Sequence, residues 1–208
     1  MVDRRHQSPP TSAEGVDFGD LQTELVVFDA ETYDTYTVWP KIGLQSLRMF
    51  TLIIKAEQTG VTNLRPDDTQ DNPFWYMFKV QCTSCRETHD NYVGVNRFES
   101  NEMSGSRGEA NFVWRCKNCK RESTASIKAA PLAYQQSEPA KPHKIIEFDC
   151  RGLEFTEFKP EGEWLAEGTD SGTKFTGIDL SDGEWFDYDE KAGDEVSIKD
   201  IQWEIRRA

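Results

Sequence analysis

The sequence FKVQCTSCRE, residues 78–87, ends a run of alternating apolar residues with two cysteines separated by two residues. The same spacing returns in VWRCKNCKRE, residues 113–122, after a second apolar run. A CxxC turn aims two sulfurs at one point, and two such turns complete a tetrahedral shell of four sulfurs, which suits Zn²⁺. We therefore predict one structural Zn²⁺ per chain, bound by Cys82, Cys85, Cys116 and Cys119.

Disulfide bonds and a dithiol redox pair use the same cysteine pattern. The opening residues, 1–15, contain no apolar stretch of the kind found in secretory signals. The chain also lacks a run of about eighteen apolar residues that could cross a membrane. These features predict a cytoplasmic or nuclear protein, in which thiols stay reduced and paired CxxC motifs bind metal. A thioredoxin-like pair needs a βαβ context, and no helical pattern follows Cys85.

Basic side chains flank both motifs. They can offset the negative charge of Zn²⁺ bound to four thiolates, or they are ordinary solvated charges. The residue after the second cysteine of such a turn is often glycine, which tolerates a positive φ. Here Arg86 and Lys120 hold that place, so we expect a less relaxed backbone there. The flanking basic residues are Arg86, Arg115, Lys117, Lys120 and Arg121.

Charge is unevenly distributed along the 208 residues. Residues 1–48 carry 4 basic and 8 acidic side chains, a net charge of −4. Residues 49–142 carry 12 and 11, a net of +1, and residues 143–208 carry 8 and 18, a net of −10. An acidic surface repels phosphate backbones, so we expect no nucleic-acid partner. It attracts basic protein surfaces or cations, with simple solvation as the alternative.

Alternating apolar residues predict an all-β chain, since no long helical period is present. The stretch 100–110, with two glycines, is expected to be the loop of a long hairpin that brings the two CxxC turns together. The predicted strands are 51–56, 74–81, 110–116, 122–129, 145–150 and 201–207.

The composition suggests three boundaries. Residues 1–48 are polar and punctuated by proline and glycine, which predicts a disordered extension, although ELVVF (24–28) could pair with a sheet edge. The proline-containing segment 131–143 is expected to link a zinc-binding module, 49–130, to an acidic module, 144–208.

An internal echo connects the two predicted modules. VTNLRP (61–66) and FTEFKP (155–160) share the form apolar-Thr-x-apolar-basic-Pro. We therefore predict two related modules of β-sandwich or barrel-like form. The first carries a zinc-ribbon-like site of four cysteines, and the second has lost the metal.

The chain resembles a known eukaryotic family, the CXXC motif-containing zinc binding proteins. The resemblance spans about residues 50–200 and implies an all-β, two-module protein with zinc on the four cysteines. It brings no established catalytic activity. The matching segments, in order, are VTNLRP (61–66), FKVQCTSCRE (78–87), GSRGEANFVWRCKNCKRE (105–122), IIEFDCRGLEF (145–155), EWLAEGTDSGTKFTGIDL (163–180) and EWFDYDEKAGDEVSI (184–198).

A second dense polar cluster lies in GTDSGTKFTG (168–177) and DYDE (187–190). It could bind a cation or a basic peptide, or it is a pair of turns capped by polar side chains. An EF-hand is excluded by its spacing. The residues concerned are Asp170, Ser171, Thr173, Asp187 and Asp189.

Other reactive residues give weaker signals. Cys150 lies on the inward face of a strand, where a buried small hydrophobe is the expectation and a redox or fifth metal thiol the alternative. His89 could reach the metal, but two CxxC pairs already saturate a tetrahedral site. No histidine has the neighbours of a catalytic triad. By alternation we expect the tryptophans to be mostly core, and we name Trp75, Trp114, Trp164 and Trp203.

These observations predict a non-enzymatic, zinc-stabilised adaptor or protein-interaction module. We expect a monomer with a protein partner that the sequence does not identify, no membrane association and no catalytic residues. The alternative is a metal-handling protein, similar to a metallochaperone, or a thiol-redox protein that uses the CxxC pairs. A hydrolase using the Asp/Ser/Thr cluster is a third hypothesis.

Overall fold

The structure, a computed structural model, describes residues 48–207 and consists there of strands and turns, without a helix. The all-β prediction is confirmed. The predicted disordered extension and its possible strand at 24–28 lie outside the described residues, apart from Arg48. The strands are β1 Arg48–Thr59, β2 Val61–Pro66, β3 Tyr76–Cys82, β4 Val93–Val95, β5 Asn101–Glu102, β6 Glu109–Ala110, β7 Phe112–Arg115, β8 Glu122–Ile127, β9 His143–Arg151, β10 Leu153–Lys159, β11 Trp164–Gly168, β12 Lys174–Ile178, β13 Trp185–Asp189 and β14 Asp194–Arg207.

The largest sheet has six strands in the order β13-β14-β1-β9-β8-β7. Its centre is the antiparallel pair β1 and β9, in which Leu52 faces Ile146 and Phe50 faces Phe148. These four side chains and Cys150 are buried, so the inward face predicted for 145–150 is correct. Alternation of apolar residues along both strands therefore places one face of this sheet on the core.

Two three-stranded sheets accompany the large one. Their orders are β10-β3-β4 and β12-β11-β2, and a short hairpin is formed by β5 and β6. The chain passes from β1 to β2 through Gly60 and from β9 to β10 through Gly152, and both glycines have a positive φ. Each long strand of the central pair thus continues, after one glycine, into a small sheet.

Aromatic side chains fill the core between the sheets. Phe78 stacks on Phe155 with ring centroids 4.2 Å apart. Phe148, from the large sheet, makes edge contacts with Tyr76, Phe78 and Phe155 at 5.8, 5.2 and 5.3 Å. Edge-to-face geometry is favourable for aromatic pairs. Phe148 therefore joins the large sheet to β3 and β10.

The four named tryptophans differ in burial. Trp114 and Trp164 are buried and Trp203 is partly buried, as expected. Trp75 is 45% exposed, so the core prediction is wrong for this residue. Trp75 lies just before β3, and it points away from the core because the side chains on either side of it, Phe74 and Tyr76, point into the core.

The predicted linker, residues 131–143, does not separate the sheets. Tyr134 is buried, its N–H donates to the Leu64 carbonyl at 2.8 Å, and its hydroxyl donates to the Ala56 carbonyl at 3.0 Å. Strands from both sides of the segment share sheets: β1 pairs with β9, β2 with β11 and β3 with β10. The predicted module boundaries therefore do not coincide with the boundaries of the sheets.

The strand orders have an internal two-fold relation. Exchanging β1, β14 and β13 with β9, β8 and β7 leaves the large sheet unchanged, and the same exchange of β2, β11 and β12 with β10, β3 and β4 interconverts the small sheets. The two halves are thus related in structure, as predicted, but the structure matches Val61 with Leu153, so the echo between 61–66 and 155–160 is two residues out of register. They exchange strands, since β2 of the first half pairs in the second and β10 of the second pairs in the first.

Candidate metal centre

The first CxxC pair lies in the turn that ends β3, which we name the first knuckle (residues 82–87). The Arg86 N–H donates to the Cys82 carbonyl at 2.9 Å, and the Cys82 N–H donates to the Glu87 carbonyl at 2.8 Å. These two bonds close the turn around the sulfurs. A further bond, from the Thr83 N–H to the Gly152 carbonyl at 3.0 Å, fixes the knuckle to the turn between β9 and β10.

The second knuckle (residues 116–121) repeats this geometry after β7. The Lys120 N–H donates to the Cys116 carbonyl at 3.1 Å, and the Cys116 N–H donates to the Arg121 carbonyl at 3.0 Å. Arg86 and Lys120 have φ values of 63° and 61°. The strained backbone expected at these two positions is therefore present, because non-glycine residues rarely adopt this conformation.

The two knuckles bring the four predicted ligand atoms together. The Cys82 and Cys119 sulfurs are 3.6 Å apart, the Cys85 and Cys116 sulfurs are 3.5 Å apart, and all four lie within 4.8 Å of one another. A tetrahedral zinc with bonds of about 2.3 Å separates its sulfurs by about 3.8 Å. Cys82 and Cys116 are fully buried, whereas Cys85 and Cys119 are half-buried. The four thiols thus fit one Zn²⁺.

The sequence predicted that one long hairpin brings the two knuckles together, but in the structure the knuckles lie on strands of two different sheets. β3, which carries the first knuckle, pairs with β4 and β10, whereas β7, which carries the second, pairs with β8 at the edge of the large sheet. The stretch 100–110 contains the short hairpin β5–β6. A metal at this point therefore joins a small sheet to the large one.

The two half-buried thiols, Cys85 and Cys119, differ in pKa because the neighbouring thiols act on them in opposite directions. The Glu87 N–H donates to the Cys85 sulfur and, with smaller contributions from the other thiols and against burial, lowers the pKa of Cys85 to about 7. The Arg121 N–H also acts to lower the pKa of Cys119, but burial and the other three thiols outweigh it and raise this pKa to about 11. Zn²⁺ binds thiolates, so binding releases the remaining thiol protons.

The flanking basic residues have structural partners. Arg86 lies 3.2 Å from a carboxylate oxygen of Glu154, which also pairs with Arg48 of β1. Arg121 donates to the Ser84 hydroxyl at 2.9 Å, which connects the second knuckle to the first. These contacts hold the knuckles in place. Whether the same charges offset the metal charge stays a prediction.

His89 and Cys150 lie outside the metal group. The His89 Nδ1 atom is 2.9 Å from the Asn91 carbonyl oxygen, so the ring is held in its own loop. Cys150 is fully buried, and its burial, with the nearby Asp149 and Glu154 carboxylates, raises the pKa of its thiol far above the usual range. A thiol in this condition is inert, in agreement with the expectation of a buried small hydrophobe.

Replacing Lys120 by glycine should stabilise the second knuckle. Glycine adopts φ near 60° without the steric cost that other residues incur, so we expect the free energy of unfolding to rise by about 0.5–1 kcal/mol. Lys117→Gly is the matched control, because Lys117 is an exposed residue of the same turn without a positive φ. Urea unfolding of the zinc-loaded protein measures both. A loss of stability in Lys120→Gly equal to that in Lys117→Gly would contradict the strain argument.

The polar cluster of the second half consists of two turns built like the knuckles. We name residues 168–173 and 189–194 the first and second counterpart turns. The Gly172 N–H donates to the Gly168 carbonyl at 3.0 Å and the Gly193 N–H to the Asp189 carbonyl at 2.7 Å. Gly172 and Gly193 have φ values of 65° and 75°, at the places of Arg86 and Lys120.

The anchoring of the counterpart turns also matches. The Gly168 N–H donates to the Thr173 carbonyl at 2.8 Å, as the Cys82 N–H does to Glu87. The Thr169 N–H donates to the Gly60 carbonyl at 3.0 Å, as the Thr83 N–H does to Gly152. The places of the four cysteines are therefore held by Gly168, Ser171, Asp189 and Ala192.

Hydrogen bonds take the place of metal ligands between these turns. The Ser171 hydroxyl donates to one Asp189 oxygen, and the Thr173 hydroxyl donates to the other at 2.9 Å. The Asp189 side chain also accepts backbone N–H bonds from its own turn, and the Ser171 bond is the largest of the causes that lower its pKa against desolvation. A Cβ on Gly168 would overlap Ser171 Oγ and Asp189 Oδ2, so glycine leaves room for this cluster.

The capped-turn interpretation of 168–177 and 187–190 is thus the one that the structure supports. Asp170 and Asp187 are exposed, and Asp187 accepts the N–H of Tyr188. The sequence analysis named the residues of this cluster, but it did not identify their two turns as counterparts of the two CxxC knuckles. The signal was present in the spacing, because Gly168-x-x-Ser171-Gly and Asp189-x-x-Ala192-Gly repeat the length of a CxxC turn with glycine after it.

The family follows from this geometry and from comparison with known proteins. A model of the eukaryotic family described as CXXC motif containing zinc binding protein matches residues 51–206. The chain belongs to this family. UPF0587 protein C2D10.03c of Schizosaccharomyces pombe is 46% identical over 159 residues, which are 76% of this chain and 98% of the relative. The CXXC motif containing zinc binding protein of Homo sapiens is 38% identical over 151 residues, 72% of this chain and 92% of that protein.

Two solved structures share the fold. The crystal structure of C1orf123 has a TM-score of 0.71 and 34% identity, covering 77% of this chain and 99% of the other. A hypothetical protein from Plasmodium falciparum has a TM-score of 0.68 and 25% identity, covering 76% and 99%. Family membership and four thiols at ligand distance establish a zinc-binding protein with a site for one Zn²⁺. In the described residues, 48–207, no helix is long and apolar enough to span a membrane.

Proposed function

We propose that this member of the family is a non-enzymatic adaptor, or protein-interaction module, whose zinc is structural. The observation that carries the proposal is the closed ligand group, in which four sulfurs surround one point and two of them are fully buried. A tetrahedral site with four protein ligands has no open position for a substrate or a reactive water. Its role is then to hold surfaces in place for a partner.

The metal site supports this role through the sheets that it joins. When bound, zinc supplies ligand bonds whose free energy is part of the folding free energy. Cys82 fixes the end of β3, and Cys116 fixes the end of β7 at the sheet edge. The proposal includes a monomeric chain in the cytoplasm or nucleus, where thiols stay reduced, and a protein as its partner.

A metal-handling or thiol-redox function is the second candidate. The observation in its favour is the partial exposure of Cys85 and Cys119, one from each knuckle. Exposed thiolates are the groups that exchange metal or become oxidised. This candidate predicts that zinc leaves the folded protein readily.

The rate of zinc transfer separates the two candidates. If zinc is structural, a weak colorimetric chelator should remove it no faster than the protein unfolds, because release has to break the fold. Stopped-flow mixing with the chelator gives the transfer rate, and hydrogen exchange of core amides gives the opening rate. Complete transfer within seconds, with the near-UV circular dichroism unchanged, would favour the metal-handling function and contradict the adaptor proposal.

A further inference from the structure

The outer strand β13 has an unused edge. It is the last strand of the six-stranded sheet, and within the described part of the chain it pairs with β14 alone. The Tyr188 N–H donates at 2.8 Å to the carboxylate of the preceding residue, Asp187. A free edge of this kind offers backbone groups to an added strand.

Two large aromatic side chains stand on the outer face of β13. Phe186 is 57% exposed and Tyr188 is 52% exposed, and as residues two apart in a strand they share a face. A shallow groove of about 640 Å³ lies along this face, and Ser197 and Thr59 also line it. Lys199 Nζ lies 4.9 Å from the Phe186 ring centroid, so this ring is already in contact with an ammonium group.

The surroundings of β13 are strongly acidic. Residues 179–195 carry eight acidic side chains and one basic side chain, a net charge of −7. Asp187 lies within β13 and points to the face opposite Phe186 and Tyr188, so it is the carboxylate that a strand added at this edge would pair with. Strand addition here therefore favours a basic partner, because opposite charges on paired strands stabilise them and like charges destabilise them.

From these three observations we propose that β13 binds an extended basic segment of a partner protein as an added strand. Apolar side chains of the segment lie on Phe186 and Tyr188, and the alternate lysines or arginines lie on the Asp187 side. A backbone carbonyl of the added strand accepts a hydrogen bond from the Tyr188 N–H. The Asp187 carboxylate, which loses this bond, then pairs with a lysine or arginine of the segment. The inference rests on the proposed adaptor role and supplies its partner class.

Charge decides against three other occupants. A second copy of this chain, paired through β13, would bring the −7 segment against itself. Residues 1–47 of the same chain carry three basic and eight acidic side chains, a net charge of −5, and are repelled as well. Nucleic acid is disfavoured for the same reason. Of these occupants, a basic protein segment alone can both pair with the free edge of β13 and complement its negative charge.

The test uses the full-length zinc-loaded protein and a fluorescent peptide of about eight residues that alternates lysine and valine, since strands of this length are typical. Anisotropy gives Kd at fixed ionic strength, and hydrogen exchange should show protection at Tyr188 when the peptide is bound. A peptide of the same composition with its lysines and valines in two blocks controls for simple charge attraction. It should bind at least several-fold more weakly, because its valines cannot share one face.

Variants locate the binding. Phe186→Ala together with Tyr188→Ala should weaken binding roughly tenfold, since two cross-strand contacts are lost. Trp75→Ala, which removes a similarly exposed aromatic side chain just before β3, should leave Kd unchanged. Asp187→Lys should weaken binding, and the exposed control Asp170→Lys should weaken it less.

Three results would overturn the inference: equal binding by the double variant, equal binding of the block peptide, or a dimer of the free protein that the double variant abolishes. The last outcome would identify a second copy as the occupant. None of these depends on zinc transfer, so failure here leaves the structural role of zinc to its own test.

Discussion

Replacing Cys116 by serine should remove most of the stability that zinc contributes to the first half of the fold. Structural zinc in small domains is worth on the order of 10 kcal/mol, and a shell of three thiolates retains only part of this. Because Cys116 is fully buried at the end of β7, no water-exposed ligand can replace it without opening the edge of the sheet. Thermal unfolding followed by circular dichroism, with the zinc content measured on the same sample, gives the loss.

Cys150→Ser is the matched control for that experiment. Cys150 is equally buried but lies outside the metal group, so the substitution places one hydroxyl in an apolar site at a cost of about 1–3 kcal/mol. Its zinc content should stay at one per chain. Equal falls in melting temperature for the two variants, or full zinc in Cys116→Ser, would show that the four thiols do not form the binding site.

Four cysteines placed in the counterpart turns should create a second zinc site. The substitutions are Gly168→Cys, Ser171→Cys, Asp189→Cys and Ala192→Cys, made together. The backbone bonds of these turns match those of the knuckles, and a Cβ at Gly168 points at Ser171 and Asp189, where the other sulfurs would stand. Elemental analysis should give two zinc ions per chain, and the melting temperature should depend more strongly on zinc.

Gly168→Cys alone is the control for the four-cysteine variant. Its side chain would overlap the intact Ser171 and Asp189 groups, so this single variant should be less stable than the natural protein and should bind one zinc. A four-cysteine variant that folds normally and still holds one zinc would mean that the two pairs of turns are less alike than their hydrogen bonds indicate.

Local patterns predicted β1, β3, β7, β8, β9, the end of β14 and the ligand group, because these depend on neighbouring residues, but they did not predict β10 to β13. The alternation of Phe74, Tyr76, Phe78 and Val80 gave the buried face of β3, and the spacing within each CxxC pair gave the sulfurs that the knuckles bring together. The positive φ at Arg86 followed from the geometry of the turn itself. In each case the deciding interactions lie within one strand or one turn.

Which strands pair in a sheet could not be predicted from the sequence when the strands are distant in the chain. β2 and β3 were assigned to one module, yet β2 pairs with β11 and β3 with β10, more than seventy residues away in the chain. An alternating strand carries its buried face in its own residues, but its neighbours in the sheet are set by the packing of the whole fold. The same limit explains why the knuckles come from two sheets and not from one hairpin.

Because the two halves exchange strands, they are related to each other as the two subunits of a strand-swapped dimer are. β1 and β9 meet around the two-fold relation as equivalent strands meet in an isologous interface, and each half completes a small sheet of the other. In such a dimer each subunit is incomplete alone. A single chain that contains both halves fixes their stoichiometry and lets one differ from the other, so that one pair of turns depends on the zinc supply of the cell while its twin holds together by hydrogen bonds alone.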